Sequence, residues 1–157
     1  MMLAGDGQDK LILCLAVLGL RASEIAVCQA DWIDWQRQTL RVPNEIAKMK
    51  HGRTIAIGFS PVWEMINASY TLSDGLDLTR QSVWRRVKRC AARAGLRRRV
   101  TVHGLRATGA TWAAERGYSA QAIREIFGWA ELRTAERYIA MTGRAAIAEV
   151  EQKGGYV

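Results

Sequence analysis

The sequence has few of the features that mark membrane, secreted or metal-binding chains. Its most apolar run, Leu11 to Leu20, is ten residues long, whereas a membrane-spanning helix needs about 18 or more. The first ten residues lack the basic-then-apolar pattern of a secretory leader. Cys14, Cys28 and Cys90 are odd in number and form no close pair, which favours reduced packing thiols over a disulfide framework or a zinc site. We therefore expect a cytoplasmic protein that holds no metal and has no membrane-spanning segment.

Proline is also scarce, with two residues in the chain, and no internal repeat or low-complexity linker divides it. A length of 157 residues, of which 49% are apolar, is typical of one domain that buries its own core. We therefore predict a single domain across residues 1–157.

Acidic residues are missing from one long stretch, residues 78–100. It holds nine basic residues, and since the whole chain has a net charge of +8, the remainder sums to −1. The positive charge is therefore concentrated in a patch. Such patches attract polyanions by releasing counterions, so we expect nucleic acid as the partner, ahead of an anionic membrane surface.

Helical spacing of apolar residues predicts most of the secondary structure. Helices are expected over Lys10 to Leu18, from Ser23 onward, and over about Val62 to Ala68, Arg80 to Ala94, His103 to Arg116, Ala120 to Phe127, Leu132 to Ala140 and Arg144 to about Gln152. Asp9 is the expected cap of the first helix and Gly19 its end. Arg21 then lies in the turn before the second helix.

Three β-prone segments separated by polar turns lie between these helices. They are Trp32-Ile33, Thr39 to Val42 and Thr54 to Phe59. The predicted fold class is therefore α+β, mainly α-helical with a small three-stranded antiparallel sheet.

The predicted helix Arg80 to Ala94 has an apolar face and a basic face. Val83, Val87 and Cys90 recur at helical spacing, and the arginines fall on a different side. We expect the first face to pack and the second to bind anions, with a merely solvated basic surface as the alternative. The candidate DNA-binding residues are Arg80, Arg85, Arg86, Lys88, Arg89 and Arg93.

Five side chains are candidates for chemistry: Arg21, His103, Arg106, Trp129 and Tyr138. Each has an ordinary alternative, Arg21 as a surface arginine paired with the glutamate three residues on, and the two aromatic residues as packing residues. His103 and Arg106 are three apart at the start of a helix, so both can face one point. Two permanent guanidiniums, a histidine, a tyrosine and a lysine-bearing hairpin together suit phosphoryl transfer without a metal.

Four motifs in order resemble those of the tyrosine recombinase, or phage integrase, family. They are Gly-Leu-Arg-x-Ser-Glu (19–24), His-x-Leu-Arg (103–106), Gly-Trp (128–129) and Arg-Tyr (137–138). The similarity runs from residue 11 to about 140, and Tyr138 follows Trp129 by nine residues and Arg106 by 32, which are the family's spacings. The resemblance implies the family's catalytic-domain fold, a DNA recombinase or integrase activity on double-stranded DNA, and no cofactor.

The resemblance also assigns roles residue by residue. Tyr138 is the nucleophile that forms a 3′-phosphotyrosine bond, and Arg21 and Arg106 grip the phosphate. His103 accepts the proton of the tyrosine. Trp129 stands where most members carry a histidine, and its indole can donate a hydrogen bond but cannot move a proton.

The family places a further catalytic residue, a lysine, on the hairpin between its second and third strands. Lys48, five residues before Arg53, fits that place best by spacing, and Lys50 is its rival. This lysine would protonate the departing 5′ hydroxyl.

The resemblance has consequences for the domain and its partners. Members usually carry an N-terminal helical domain, for which this chain has no room, so residues 1–157 are expected to be a catalytic domain alone. Residues 142–157 are expected either to dock on a neighbouring protomer, in a tetramer on DNA, or to pack in their own chain. The alternatives are an integrase remnant that binds DNA without cutting it, a type IB topoisomerase or telomere resolvase, and a helical protein-interaction module.

Overall fold

The computed structural model describes residues 6–47, 51–58, 60–71 and 75–153, and within these ranges it contains eight α-helices and three β-strands. The helices are α1 (Gly7–Val17), α2 (Ala22–Ala26), α3 (Ser60–Thr71), α4 (Arg80–Arg93), α5 (Val102–Glu115), α6 (Ala120–Phe127), α7 (Leu132–Met141) and α8 (Arg144–Gln152). The strands are β1 (Ile33–Asp34), β2 (Thr39–Val42) and β3 (Arg53–Ala56). The predicted α+β class is confirmed. No helix within the described ranges is long and apolar enough to cross a membrane.

The sheet is antiparallel in the order β1-β2-β3, as predicted. In β2, buried Leu40 and Val42 alternate with exposed Arg41, so one face of the sheet meets the core. The predicted strand at Trp32 was wrong, because Trp32 ends a short 3₁₀ turn that precedes β1. β3 begins one residue earlier than expected and ends at Ala56, and the predicted end of this strand at residue 59 lies outside the described residues.

The core consists of two clusters of buried side chains. The larger joins α1, α2, the sheet, α3 and α4, and the smaller lies among α5, α6 and α7. α1 is buried along one continuous run, residues 11–16, and packs against α3, α4 and α5. A Cβ at Gly109 of α5 would overlap the carbonyl oxygen of Val17, so the two helices depend on glycine for their close approach.

The predicted cap of α1 was wrong. Asp6, not Asp9, caps the helix, because the Asp6 side chain accepts a hydrogen bond of 2.7 Å from the Asp9 backbone N–H. Asp9 is buried in the first turn, and its carboxylate accepts hydrogen bonds from three arginines of α4: Arg86 (2.8 Å), Arg89 (3.2 Å) and Arg93 (2.6 Å). Asp9 thus joins the start of α1 to α4.

The three cysteines are free and buried, which confirms their predicted role as packing thiols. Cys14 lies against the Met65 sulfur at 3.4 Å, and Cys28 accepts a hydrogen bond of 3.1 Å from the Tyr70 hydroxyl. Burial raises the pKa of the Cys14 and Cys28 thiols to about 12, so both are neutral at physiological pH.

Candidate active site

An open cavity of about 320 Å³ is lined by all five of the predicted catalytic residues that the structure describes. It is lined by Arg21, Ala22, Val102, His103, Arg106, Ala107, Trp129 and Tyr138. These residues come from the α1–α2 connection, the first half of α5, the segment after α6, and α7. The fold therefore brings together side chains from both ends of the chain.

The start of α5 places the histidine and the second arginine. The Thr101 hydroxyl caps this helix by accepting a hydrogen bond of 3.0 Å from the Gly104 backbone N–H. His103 in the first turn is exposed, and Arg106 one turn later is buried. Because the spacing of three keeps both on one side of the helix, both line the cavity.

Arg106 keeps one donor without a protein partner. Its Nη2 donates to the Phe127 carbonyl at 2.8 Å, whereas Nη1 is the one buried side-chain polar atom in the described ranges that has no hydrogen-bond partner. A buried donor left in this way costs about 1–3 kcal/mol, and an anionic oxygen bound here would remove that cost. Burial, with the positive charges of Arg21 and Arg53, lowers the pKa of Arg106 to about 10, so the guanidinium stays charged at neutral pH.

Arg21 is held by contacts on two sides. Its Nη1 donates to Glu24 Oε1 at 3.0 Å, and its Nη2 donates to the Gly128 carbonyl at 2.7 Å. Gly128 ends α6 in the left-handed region, with φ of 59°, where glycine is the least strained residue. The expected pairing of Arg21 with Glu24 therefore exists, and it does not exclude a place in the cavity.

Three aromatic rings form a stack that ends at the predicted nucleophile. The Trp129 ring lies 5.2 Å from Phe127 and 5.2 Å from Tyr138, and it is inclined 26° and 12° to those rings. Phe127 is fully buried, while Trp129 and Tyr138 are half-buried at the cavity wall. The stack therefore connects Tyr138 to the core.

Next to the cavity, Arg21 belongs to an ion cluster with Glu24 and Arg53, two residues that were not among the predicted site residues. Glu24 is fully buried and accepts hydrogen bonds from Arg21 and from both terminal nitrogens of Arg53, at 3.1 and 2.8 Å. Burial opposes the charge of Glu24, but the hydrogen bonds and charge of Arg53 and the hydrogen bonds of Arg21 outweigh it and lower the Glu24 pKa. A sequence signal did exist, since Glu24 lies in the Gly-Leu-Arg motif and Arg53 opens a strand.

The two candidate lysines, Lys48 and Lys50, lie outside the described residues. The β2–β3 connection re-enters the described part at His51, and Arg53 opens β3. The assignment of the hairpin lysine therefore stays a prediction.

The six candidate DNA-binding residues of α4 fall into two sets. Arg86, Arg89 and Arg93 donate to the Asp9 carboxylate, although the latter two side chains remain about half exposed, at 51% and 43%. Arg80, Arg85 and Lys88 are exposed, and the Lys88 ammonium lies 4.4 Å from the ring centre of exposed Trp84. DNA contact by either set stays a prediction.

The chain is similar in sequence to proteins of a known family. The profile of the Phage integrase family matches residues 4–144. The chain is 30% identical over 153 residues to the tyrosine recombinase XerA of Pyrococcus horikoshii, an alignment that covers 88% of this chain and 52% of XerA. The chain spans about half the length of such relatives.

Solved structures of recombinases share the fold. A crystal structure of XerA recombinase superposes with a TM-score of 0.80 at 18% identity, over 99% of this chain and 62% of that one. The Tn1549 transposon integrase, in complex with a circular intermediate DNA, superposes with a TM-score of 0.67 at 20% identity, over 90% of this chain and 57% of that one. Because the family profile matches residues 4–144 of this chain, the chain belongs to the phage integrase family of tyrosine recombinases.

Proposed function

We propose that residues 1–157 are the catalytic domain of a site-specific DNA recombinase or integrase, which cleaves and rejoins DNA strands through a 3′-phosphotyrosine intermediate. The observation that carries this proposal is the single cavity shared by Arg21, His103, Arg106, Trp129 and Tyr138. The DNA bound to the related Tn1549 integrase supports double-stranded DNA as the substrate.

In the proposed reaction, the Tyr138 oxygen attacks the phosphorus of a DNA phosphodiester and the bond to the 5′ oxygen breaks. His103 accepts the phenol proton, since a neutral phenol is a weak nucleophile until it loses that proton. Arg21 and Arg106 bind the non-bridging oxygens and offset the charge that develops on them. The Arg106 Nη1 that lacks a protein partner is the donor best placed for this.

The departing 5′ oxygen takes a proton from the hairpin lysine, Lys48 or its rival Lys50. Attack of a second 5′ hydroxyl on the phosphotyrosine then reverses the step and joins a new strand. The ester energy is conserved in the covalent bond, so the cycle needs no nucleotide cofactor.

The DNA-binding surface, the oligomeric state and the cellular location are part of the same proposal. The exposed basic side chains of α4 would bind backbone phosphates, which position the enzyme without reading sequence. Four chains would assemble on DNA through the segment after Thr142, and the exposure of Ile147 in α8, at 55%, supports this role. A cytoplasmic location suits both the DNA substrate and the free thiols.

The enzyme activity can be tested with a nicked duplex from which cleavage releases a short fragment. Because the fragment with the 5′ hydroxyl is lost, the step cannot reverse and the covalent product accumulates. We expect a DNA adduct that survives denaturing electrophoresis and disappears in Tyr138→Phe. Tyr118→Phe is the matched control, since Tyr118 is exposed in the loop before α6 and lies away from the cavity. Salt-sensitive DNA binding with no adduct from the unaltered chain would instead support a DNA-binding remnant.

A further inference from the structure

Arg53 lies behind the cavity wall and joins three segments of the fold. Its Nε donates to the Ile126 carbonyl at 2.9 Å, and its Nη2 donates to the Gly19 carbonyl at 2.9 Å. Both terminal nitrogens also donate to Glu24. The side chain is 6% exposed and is absent from the residues that line the cavity.

Each joined segment carries a residue of the candidate site. Gly19 and Glu24 flank Arg21, and Ile126 precedes the Gly-Trp motif that holds Trp129. Arg53 itself opens β3, just after the hairpin that carries the candidate lysines. A single guanidinium therefore hydrogen-bonds both to the segment around Arg21 and to the segment that precedes Trp129.

Arg53 and Arg21 share the two oxygens of Glu24. Oε1 accepts from the Nη1 atoms of both arginines, at 3.1 and 3.0 Å. Oε2 accepts from Arg53 Nη2 at 2.8 Å and from the Arg21 backbone N–H at 2.7 Å. Arg53 thus fixes the plane of the carboxylate that orients Arg21, a task that suits the rigid fork of a guanidinium and not the single ammonium of a lysine.

We propose that Arg53 is a positioning residue for strand cleavage, which acts through Glu24 to hold the Arg21 guanidinium in the cavity. The role in cleavage rests on the function proposed above, whereas the hold on Arg21 is a property of the folded chain. The two parts can therefore be measured separately.

The first measurement is the rate of adduct formation on the nicked duplex at saturating DNA. Arg53→Lys keeps the charge and loses the fork, and we expect it to slow cleavage about 10²-fold, the cost of a displacement of roughly 1 Å in a catalytic group. DNA affinity should change little, because Arg53 does not line the cavity and the exposed basic side chains of α4 are proposed to supply most of the binding. Arg41→Lys is the matched control, since Arg41 is exposed on the neighbouring strand β2 and faces Thr54.

The second measurement does not depend on activity. The Arg21 side-chain N–H signal, identified by its loss in Arg21→Lys, is followed in ¹H–¹⁵N spectra of the chain. In Arg53→Lys and Arg53→Gln we expect the Arg21 signal to shift and to show faster internal motion. An Arg21 signal identical to that of the unaltered chain overturns the proposal, whether or not the chain cleaves DNA.

A double-mutant cycle separates positioning from general support of the fold. If Arg53 acts through Arg21, Arg53→Lys adds little to the rate loss already caused by Arg21→Lys. Losses that multiply fully in the double variant contradict the proposal, and so does a failure of both Arg53 variants to fold, which would make Arg53 a residue of the core alone. An unaltered chain that forms no adduct defeats the proposed function, and the Arg21 signal still decides the positioning role.

Discussion

At the scale of single residues, Trp129 has two properties that its position makes separable. Its ring lies between the buried Phe127 and the half-buried Tyr138, so it can hold the nucleophile by stacking. Its indole N–H is also a donor at a cavity that we assign to a phosphate. A phenylalanine keeps the first property and loses the second, while a histidine keeps a ring and a donor.

We expect Trp129→Phe to slow adduct formation by about 10²-fold, the usual cost of one lost donor to a developing oxyanion, with little change in thermal stability. Trp129→His should retain most of the rate. Trp129→Ala should lose both the rate and stability, because the stack is interrupted. Trp112→Phe, at an exposed tryptophan of α5, is the control. A Trp129→Phe protein as fast as the unaltered chain would leave stacking as the residue's whole contribution.

Residues of the candidate site that lie in short sequence motifs were predictable. Residues that act through ion pairs with partners far along the chain were not. The sequence motifs identify Arg21, His103 and Arg106, because the residue types and their spacings are themselves informative. Arg53 and Glu24 are 29 positions apart, and although each lies in a recognisable motif, no local pattern predicts that the two charges meet in the interior. Asp9 was assigned as a cap for the same reason, since its partners in α4 lie far along the chain.

At the scale of elements, α4 combines an internal and an external basic surface. Arg86 donates a hydrogen bond to the buried Asp9 carboxylate. Its neighbour Arg85 is exposed, and its hydrogen bond to the Ser82 hydroxyl is long, at 3.3 Å. The two adjacent arginines therefore have different environments, although both belong to the basic stretch of residues 78–100. Substituting each in turn separates DNA binding from stability.

We expect Arg85→Gln to weaken DNA binding and to reduce by about one the slope of log affinity against log salt concentration. The free energy of unfolding should not change. Arg86→Gln should lower the free energy of unfolding by about 1–3 kcal/mol, because a charge-assisted hydrogen bond to a buried carboxylate is lost. Salt titrations of DNA binding and urea unfolding of both variants provide the test. Equal loss of stability in the two variants would contradict the division of α4.

The pH dependence of unfolding provides a further check on this prediction. Burial opposes the charge of Asp9, but hydrogen bonds from Arg86 and Arg89 outweigh it, so the Asp9 pKa lies below its ordinary value. A lowered folded-state pKa gives stability that is present above the unfolded pKa of about 4 and is lost as the pH falls through the folded value. Arg86→Gln should therefore lose less stability on acidification than the unaltered chain.

The boundaries of α6 followed the sequence, because a capping residue marks each of its ends. α6 ends at the glycine of Gly-Trp and begins after Ser119, whose hydroxyl accepts from the Ala122 N–H at 3.2 Å, and its predicted limits are confirmed. α3 extends beyond the predicted Val62 to Ala68 on both sides. Its ends lack a comparable signal, because a proline is tolerated in the first turn of a helix.

At the scale of the whole molecule, the cavity lies where the two core clusters meet. Ile126 packs against both clusters. Arg21 lies between Leu20 and Ala22, which belong to or pack against the larger cluster, while Trp129 and Tyr138 border the smaller. A shift between the clusters would therefore change the position of Arg21 relative to Tyr138, whereas Arg106 lies on α5, which contributes to the smaller cluster with α7.

The C-terminal helix α8 is the element best suited to contact another protomer. α8 packs against α7, the helix that carries Tyr138, and Arg144 at its start donates to the Glu115 carbonyl. Ile147 on α8 and Met141 at the end of α7 are 55% and 71% exposed. Both are large apolar side chains left exposed near the C-terminal end of the chain, which suits burial against a partner.

We expect a chain that ends at Gly143 to bind DNA as individual protomers, whereas the full chain assembles on paired sites as a tetramer. Sedimentation velocity on DNA-bound samples distinguishes the two states, and Ile147→Ser should give the truncated result while keeping α8. Urea unfolding is the control, because the described part of α8 adds few buried side chains to either core cluster. An assembly that survives both changes would place the protomer contact elsewhere and leave α8 as a helix of its own chain.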